Sequence, residues 1–473
     1  RKKEQRKNKV IKGEGKMTKQ AVYDEVKKLE TLCQESCRFL WNHPETGGNE
    51  KESANYMRDL LKTEGFVIVS EDKLEHAFYA EYGSGRPVLA ILGEYDALPG
   101  LSQKVCAEKE AVVPEGPGHG CGHNLLGSAA VTAAIAVKRF LEKEGISGTI
   151  RFYGCPEEEL LCGKVKMAYY HMFDDCDAAL SWHPMGANEA FAEGYLASAS
   201  AKFYFKGKSS HAAFAPEKGR SALDAVELMN VGVNYLREHV IDAARIHYTT
   251  DSGGFSPNIV PDKAGSWYYV RAPKMQDVKN ILKRIEKISQ GAALMTETEA
   301  TMKIEYGWCD MKKNSRFADL SYENLLEAPK PEYTEEELAF AGELQETLDP
   351  VLLNRDRILY EARDMKMHLN VGSRNLCEKT PLTASTDSGD ISYMMPMGLF
   401  TTACWPVGVA PHTWQATAAN GSSLGEKGAF YAAFVLAGTA YDLYTRPELL
   451  EKIKEEFDER QTEEYAPMYF ERR

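Results

Sequence analysis

Five short segments of this chain carry side chains that bind metals or move protons. Gly118-His119-Gly120-Cys121-Gly122-His123-Asn124 offers Cys121 and His123, both good ligands for a borderline cation, among glycines that let the backbone approach an ion. Pro156 leads into Glu157-Glu158-Glu159, His183 precedes Pro184, and His412 follows Pro411. Adjacent carboxylates point in different directions, so one glutamate of the run can hold metal while its neighbour faces a substrate as base. Metal-assisted hydrolysis needs that division: the cation lowers the pKa of water and a carboxylate takes its proton. Asp96, in Gly93-Glu94-Tyr95-Asp96, suits a carboxylate that orients a ligand from behind. Taken singly, each segment has a plainer reading. Cys-x-His is a common loop, acidic runs are usually solvated, and a lone histidine is usually packed in a core. A thiol hydrolase built on Cys121 and His123 is a further alternative, but two residues apart is poor geometry for a nucleophile and its base.

The placement of the segments argues for chemistry. Four of them follow apolar, strand-like runs: Pro87–Leu92, Thr149–Tyr153, Ala178–Trp182 and Leu399–Cys404. In open α/β sheets, ligands bind beyond the carboxyl ends of the strands, so four such clusters meet in one crevice. The fifth precedes Ser128–Leu141, which reads as a long buried helix. Further helices are expected over 20–40, 50–64, Lys164–Met172, Glu335–Thr347 and Glu426–Tyr444, and further strands over Phe66–Val69 and Ala77–Tyr82. This alternation indicates an α/β sheet with helices on its faces. The character changes near Ala197. Ser198–Phe205, Ser221–His239, Ile246–Thr250, Lys263–Val270, Met275–Ala293 and Glu297–Trp308 follow the order βαββαβ, the ferredoxin-like split pattern. Residues 198–312 therefore read as a domain inserted into a core made of 17–197 and 313–473. Residues 361–379 show little pattern.

The 473 residues are 43% apolar and 27% charged, ordinary for a globular chain of two to four domains at roughly 100–200 residues each. Acidic residues number 70 and basic residues 57, a net charge of −13. That balance argues against nucleic-acid partners and against a polybasic membrane patch. No stretch reads as the roughly 18 uncharged apolar residues of a membrane span, and no secretory signal is evident. Ten cysteines, mostly isolated, read as reduced, and the protein as cytoplasmic. The first sixteen residues carry eight basic and two acidic side chains and read as a disordered, non-native leader ahead of Met17, with a basic interaction tail as the alternative.

Three motifs carry a family resemblance: Gly93-Glu-Tyr-Asp-Ala-Leu-Pro-Gly100, Gly118-His-Gly-Cys-Gly-His-Asn-Leu-Leu-Gly127 and Ser385-Thr-Asp-Ser-Gly-Asp390. From about residue 20 to about 445 the chain resembles the aminoacylase/carboxypeptidase family of co-catalytic metallopeptidases, in its amidohydrolase subgroup with a peptidase dimerisation domain. The resemblance implies a mixed-sheet metallopeptidase catalytic domain with an inserted ferredoxin-like α+β dimerisation (lid) domain. It implies two divalent metal ions held by Cys121, His123, Glu159, His183 and His412, with Glu158 as general base. Manganese is the metal the resemblance implies; the Cys121 thiolate favours zinc. The family pattern after Pro156 normally has glycines where this chain has Leu160-Leu161, and Asn124 stands where many relatives carry aspartate. In the inserted domain, Lys206-Gly-Lys-Ser-Ser-His211, Ser256-Pro-Asn258 and Tyr269-Val-Arg271 are similar to segments in which the histidine stabilises the oxyanion, often from a partner subunit, while Asn and Arg bind the substrate carboxylate. The implied reaction is attack by a metal-bridged water on an amide joining an acyl or aroyl group to an amino acid, glutamate being favoured. A dipeptidase or another N-acyl amino acid deacylase is the alternative within enzymes. A non-catalytic partner subunit is the alternative outside them. The resemblance also implies a homodimer, or a heterodimer with a related subunit.

Overall fold

The computed structural model describes residues 18–191, 195–372, 385–461 and 464–469. The expected leader 1–16 and residues 373–379 of the weakly patterned stretch lie outside the described residues.

The first sheet has seven strands: β1 (Val67–Ser70), β2 (Phe78–Ser84), β3 (Val88–Glu94), β4 (Gly148–Cys155), β5 (Ala178–Met185), β6 (Glu189–Phe191) and β11 (Met397–Ala403). Their order is β1-β2-β4-β3-β5-β11-β6. The central four, β4-β3-β5-β11, are parallel, and antiparallel strands flank them on both sides. Parallel strands must be covered on both faces, and the sequence supplies two apolar faces. Leu89 and Ile91 of β3 join one core with Phe152, Leu180 and Phe400, while Ala90 and Leu92 join another with Tyr153, Met167, Phe173 and Ile391. Each such Leu, Ile or Phe stabilises the fold by about 1.5–3 kcal/mol when taken out of water.

Helices α1 (Gln20–Lys27), α2 (Glu30–Asn42), α3 (Lys51–Thr63) and α4 (His123–Glu144) belong to the first core. α4 is long and apolar enough to cross a membrane by length and composition, which corrects the expectation that no segment qualifies. Its alanine-rich surface is instead buried almost all round, against β3 and against a second apolar helix near the C-terminus, residues 423–445. Such an all-round apolar helix is a core helix. α5 (Gly163–Tyr169) lies on the opposite face.

The second sheet is antiparallel: β7 (Ala197–Lys206), β8 (Arg245–Ser252), β9 (Lys263–Ala272) and β10 (Glu299–Trp308), in the order β10-β7-β9-β8. With α6 (Ala222–Leu236) and α7 (Met275–Thr296) it completes βαββαβ, as expected, around a core of its own. The chain then returns through α8 (Ser315–Glu327), α9 (Glu335–Glu346), α10 (Pro350–Leu359), α11 (Ser388–Met394), α12 (Trp414–Asn420), α13 (Ser423–Thr445) and α14 (Pro447–Arg460). Residues 464–469 run back to the second sheet, where Tyr469 bridges Tyr306 and the Gly307 N–H donates to the Met468 carbonyl.

Candidate metal centre and active site

The parallel strands end level. Glu94 of β3 pairs with Cys155 of β4, and His183 of β5 with Thr401 of β11. Their exits therefore empty into one crevice. β3 continues into Tyr95-Asp96, β4 into the proline-led acidic run, β5 carries His183 near its end, and β11 leads to the loop holding His412. The remaining piece comes from a helix. His123 is the first residue of α4, and Gly122 before it has φ 83°, a left-handed turn that glycine adopts without penalty. Gly127 lets α4 press against the end of β3, because a Cβ there would lie 2.6 Å from the Glu94 carbonyl oxygen. Glu157 (φ 59°) and His412 (φ 63°) occupy the same region without that freedom, a strain on the order of 1–3 kcal/mol each. Specific contacts hold both in place. The Glu157 N–H donates to the buried Glu50 carboxylate at 2.7 Å, and the His412 N–H donates to the Gly120 carbonyl at 2.9 Å. The second contact ties the His412 loop to the Cys121 loop.

The donors form three overlapping groups, each with its ligand atoms within 4.8 Å of one another: Cys121, His123 and His183; Cys121, Glu159 and His412; Glu94, His123 and Glu158. Cys121 Sγ lies 3.4 Å from His183 Nε2, and His412 Nε2 lies 3.5 Å from Glu159 Oε2. His123 Nε2 is 3.4 Å from Glu94 Oε2 and 3.9 Å from Glu158 Oε2. Ligands about 2.0–2.3 Å from a shared cation stand at such separations. Two buried atoms, His123 Nε2 and Glu159 Oε1, have no hydrogen-bond partner. Orphaned buried polar atoms are costly, and a divalent cation satisfies both, so the donor set fits a metal. Cys121 belongs to two of the groups and stands between them.

The electrostatics agree. Burial pushes the Glu158 carboxyl well above the usual carboxylate range, and the negative Glu94 and Asp387 push it further. Burial lifts Glu159 to about 7 and raises the Cys121 thiol. His183 falls to about 4, first through burial and then through the nearby His123. These shifts come first from burying the donors close together, and a bound cation would favour their deprotonated, ligating forms.

Sequence reasoning left Glu94 and Lys164 without a role and gave Asp387 only a place in the Ser385–Asp390 segment, which the resemblance puts along the crevice. Lys164, fully buried, places Nζ 2.6 Å from Glu94 Oε1 and 2.6 Å from Asp387 Oδ1. The one local signal is its position in the first turn of α5, where the helix dipole disfavours a cation. Asp96 places Oδ1 2.8 Å from His123 Nδ1, and its Oδ2 accepts the Glu159 N–H at 2.7 Å.

The inserted-domain candidates stand apart from this cluster. His211 is exposed, and its Nδ1 accepts the N–H groups of Ala213 and Phe214 at 3.2 and 3.1 Å. Exposed Asn258 sits beside it, its carbonyl accepting the Ala212 N–H at 3.0 Å. Among the described residues, no hydrogen bond or ion pair joins either residue to the metal-ligand groups. Arg271 donates to Ser385 Oγ at 3.2 Å, two residues from Asp387.

A mixed sheet that gathers thiolate, imidazole and carboxylate donors at its strand ends defines a metal-dependent hydrolase, and comparison with known proteins agrees. Residues 197–295 match the peptidase dimerisation domain. The chain is 42% identical over 436 residues to a subunit of the p-aminobenzoyl-glutamate hydrolase of Escherichia coli (strain K12), spanning 88% of this chain and 90% of that protein. It is 28% identical over 434 residues to the Xaa-Arg dipeptidase of Mus musculus, spanning 89% and 87%. In fold it matches a dinuclear metal-binding peptidase of Bacillus subtilis (TM-score 0.58, 18% identity, 89% of this chain and 99% of that one) and an aminobenzoyl-glutamate utilization protein of Klebsiella pneumoniae (TM-score 0.60, 16% identity, 90% and 99%). The chain belongs to the aminoacylase/carboxypeptidase family of co-catalytic metallopeptidases, and it is an enzyme acting on linear amide bonds.

Proposed function

We propose that this enzyme hydrolyses p-aminobenzoyl-glutamate or a closely similar N-acyl amino acid. The 42% identity to the Escherichia coli hydrolase subunit, over nine-tenths of its length, carries this reading. In it, Cys121, His123, Glu159, His183 and His412 would hold two divalent cations. When bound, the cations acidify water and polarise the amide carbonyl. Glu158 takes the proton from the attacking water and passes it to the departing amine. Its buried, proton-retaining environment suits that shuttle. Asp96 orients His123 and the Glu159 backbone. His211 donates to the developing oxyanion, and Asn258 with Arg271 anchors the substrate carboxylate. The soft thiolate favours zinc, and manganese is the competing metal.

His211 and Asn258 are exposed in a single chain, which supports completion of the site by domain closure or by a second subunit. A homodimer, or a heterodimer with a related subunit, has a ready surface. Leu228, Val231 and Tyr235 lie exposed along one face of α6, and β8 is an open sheet edge. We place the inserted domain at 198–312 and the catalytic domain at 17–197 and 313–473. The nine described cysteines are free thiols, which supports a cytoplasmic setting.

The 28% identity to an Xaa-Arg dipeptidase favours a second reading, in which the same metal site serves a dipeptide. Amine release from p-aminobenzoyl-glutamate, N-acyl amino acids and Xaa-Arg dipeptides separates the two. The assay uses the purified chain, metal-stripped and then reloaded with manganese or zinc. Metal-dependent release fastest with p-aminobenzoyl-glutamate supports the first reading, and fastest with the dipeptide the second. Release that survives chelation and is lost on thiol alkylation overturns both.

A further inference from the structure

Lysine is almost never fully buried unless paired, and Lys164 is paired twice. Its ammonium touches Glu94 Oε1 and Asp387 Oδ1, and its backbone N–H donates to Asp387 Oδ2 at 2.8 Å. The three residues come from separate elements: Glu94 ends β3, Lys164 lies in the first turn of α5, and Asp387 immediately precedes α11. Tertiary pairing, not helix preference, places the cation there. Glu94 divides its two oxygens. Oε1 stays on Lys164, while Oε2 faces His123 Nε2 in the group that includes Glu158. One carboxylate thus links the buried ammonium to the metal-ligand cluster.

We propose that Lys164 is a positioning residue for hydrolysis, a resident cation that clamps Glu94 and Asp387 so that Glu94 Oε2 and the Glu158 carboxylate keep fixed places beside His123. The inference rests on the amidohydrolase reading and deepens it. Among the described residues no other lysine or arginine pairs with Glu94 or Asp387. Without Lys164, the three buried carboxylates Glu94, Glu158 and Asp387 keep only His123, which faces Glu94 and Glu158, and Asp387 loses its one paired cation among the described residues. Breaking a buried pair leaves uncompensated charge of this kind, which drives the remaining groups to move or protonate. Lys164 has no exposed surface from which to touch a substrate, so its loss acts on turnover rather than on substrate affinity.

The test compares the wild type with Lys164→Met, Lys164→Arg and the milder Asp387→Asn, which keeps the Lys164–Glu94 contact. All are full-length, loaded with manganese(II), and measured for bound metal, thermal midpoint, kcat and KM on p-aminobenzoyl-glutamate, and the manganese electron paramagnetic resonance spectrum. Lys164→Met is expected to lose about tenfold to a hundredfold in kcat per metal-loaded chain, with KM little changed and the spectrum altered. Asp387→Asn loses less, and Lys164→Arg recovers part of the loss. An unchanged kcat per loaded chain with an unchanged spectrum overturns the proposal, even where the thermal midpoint falls, because Lys164 then only supports the fold. If Lys164→Met does not fold, Asp387→Asn decides by the same readouts. If the wild type hydrolyses no N-acyl amino acid or dipeptide, the amidohydrolase reading fails, and the spectra alone decide the positioning: altered in the variants supports it, unaltered overturns it.

Discussion

His123 Nδ1 lies 2.8 Å from Oδ1 of Asp96, and this contact selects the tautomer of the ring. Nδ1 donates to the carboxylate, so Nε2 is the ring atom that faces Glu94 and Glu158 and is placed to serve as a metal donor. The other Asp96 oxygen accepts the Glu159 N–H, so one buried carboxylate orients two proposed ligands. Asp96→Asn keeps the shape but blurs the tautomer choice. Metal affinity is expected to fall by about tenfold to a hundredfold, read by competition with a chelator of known affinity. An affinity equal to the wild type's would remove Asp96 from the site.

Glu158 and Glu159 are neighbours with different surroundings. Glu159 groups with Cys121 and His412, whereas Glu158 groups with Glu94 and His123. That difference supports base at 158 and ligand at 159, and the two variants separate the roles. Glu158→Gln should retain metal and lose roughly a hundredfold to ten-thousandfold in kcat. Glu159→Gln should lose metal as well as turnover. Metal analysis beside single-turnover kinetics distinguishes them, and the reverse pattern would shift the assignment by one residue.

Much of this architecture is legible in the chain because its signals are local. The apolar runs that become β3, β4, β5 and β11 each end in turn-forming or polar residues, and the βαββαβ order shows as alternation followed by helical spacing. Strand β6 is three residues long, too short to show a period. Helix α14 does carry a local signal, Leu449, Leu450, Ile453 and Phe457 at helical spacing behind Pro447, and it is open to reading. The Lys164 clamp is invisible for another reason. Its partners lie 70 positions earlier and 223 positions later in the chain, and no local pattern encodes either contact. His211 shows the same limit from the opposite side, because the position of a loop on one domain says nothing of what it meets on another.

Glu189, at the far edge of the first sheet, carries a stability penalty that depends on pH. Burial alone lifts its carboxyl from 4.5 to about 7. Between those values the folded chain keeps the proton and the unfolded chain has lost it. The native state therefore binds more protons, and stability falls as pH rises through that window, by at most about 1.4 kcal/mol per pH unit for this group. Below the window both states are protonated, and above it both are ionised, so the effect stops. Glu189→Gln cannot ionise. Its thermal midpoint should fall less than the wild type's between pH 5 and pH 7.5, and parallel curves for the two proteins would contradict the assignment.

His211 turns Nδ1 inward to two backbone N–H groups, which fixes the imidazole and leaves Nε2 as the outward donor. As an oxyanion donor it should be worth about a hundredfold to a thousandfold in kcat, with metal content untouched in His211→Ala. Its distance from hydrogen-bonding contact with its own chain's cluster makes a sharper experiment available. Preparations of His211→Ala and Glu158→Gln, each inactive alone, are mixed under conditions that exchange subunits. If the histidine serves the partner's site, each mixed dimer contains one site with both Glu158 and His211 intact, and activity returns on mixing. If it serves its own chain's site through domain closure, every site lacks one group and the mixture stays inactive, even though sedimentation shows that mixed dimers have formed.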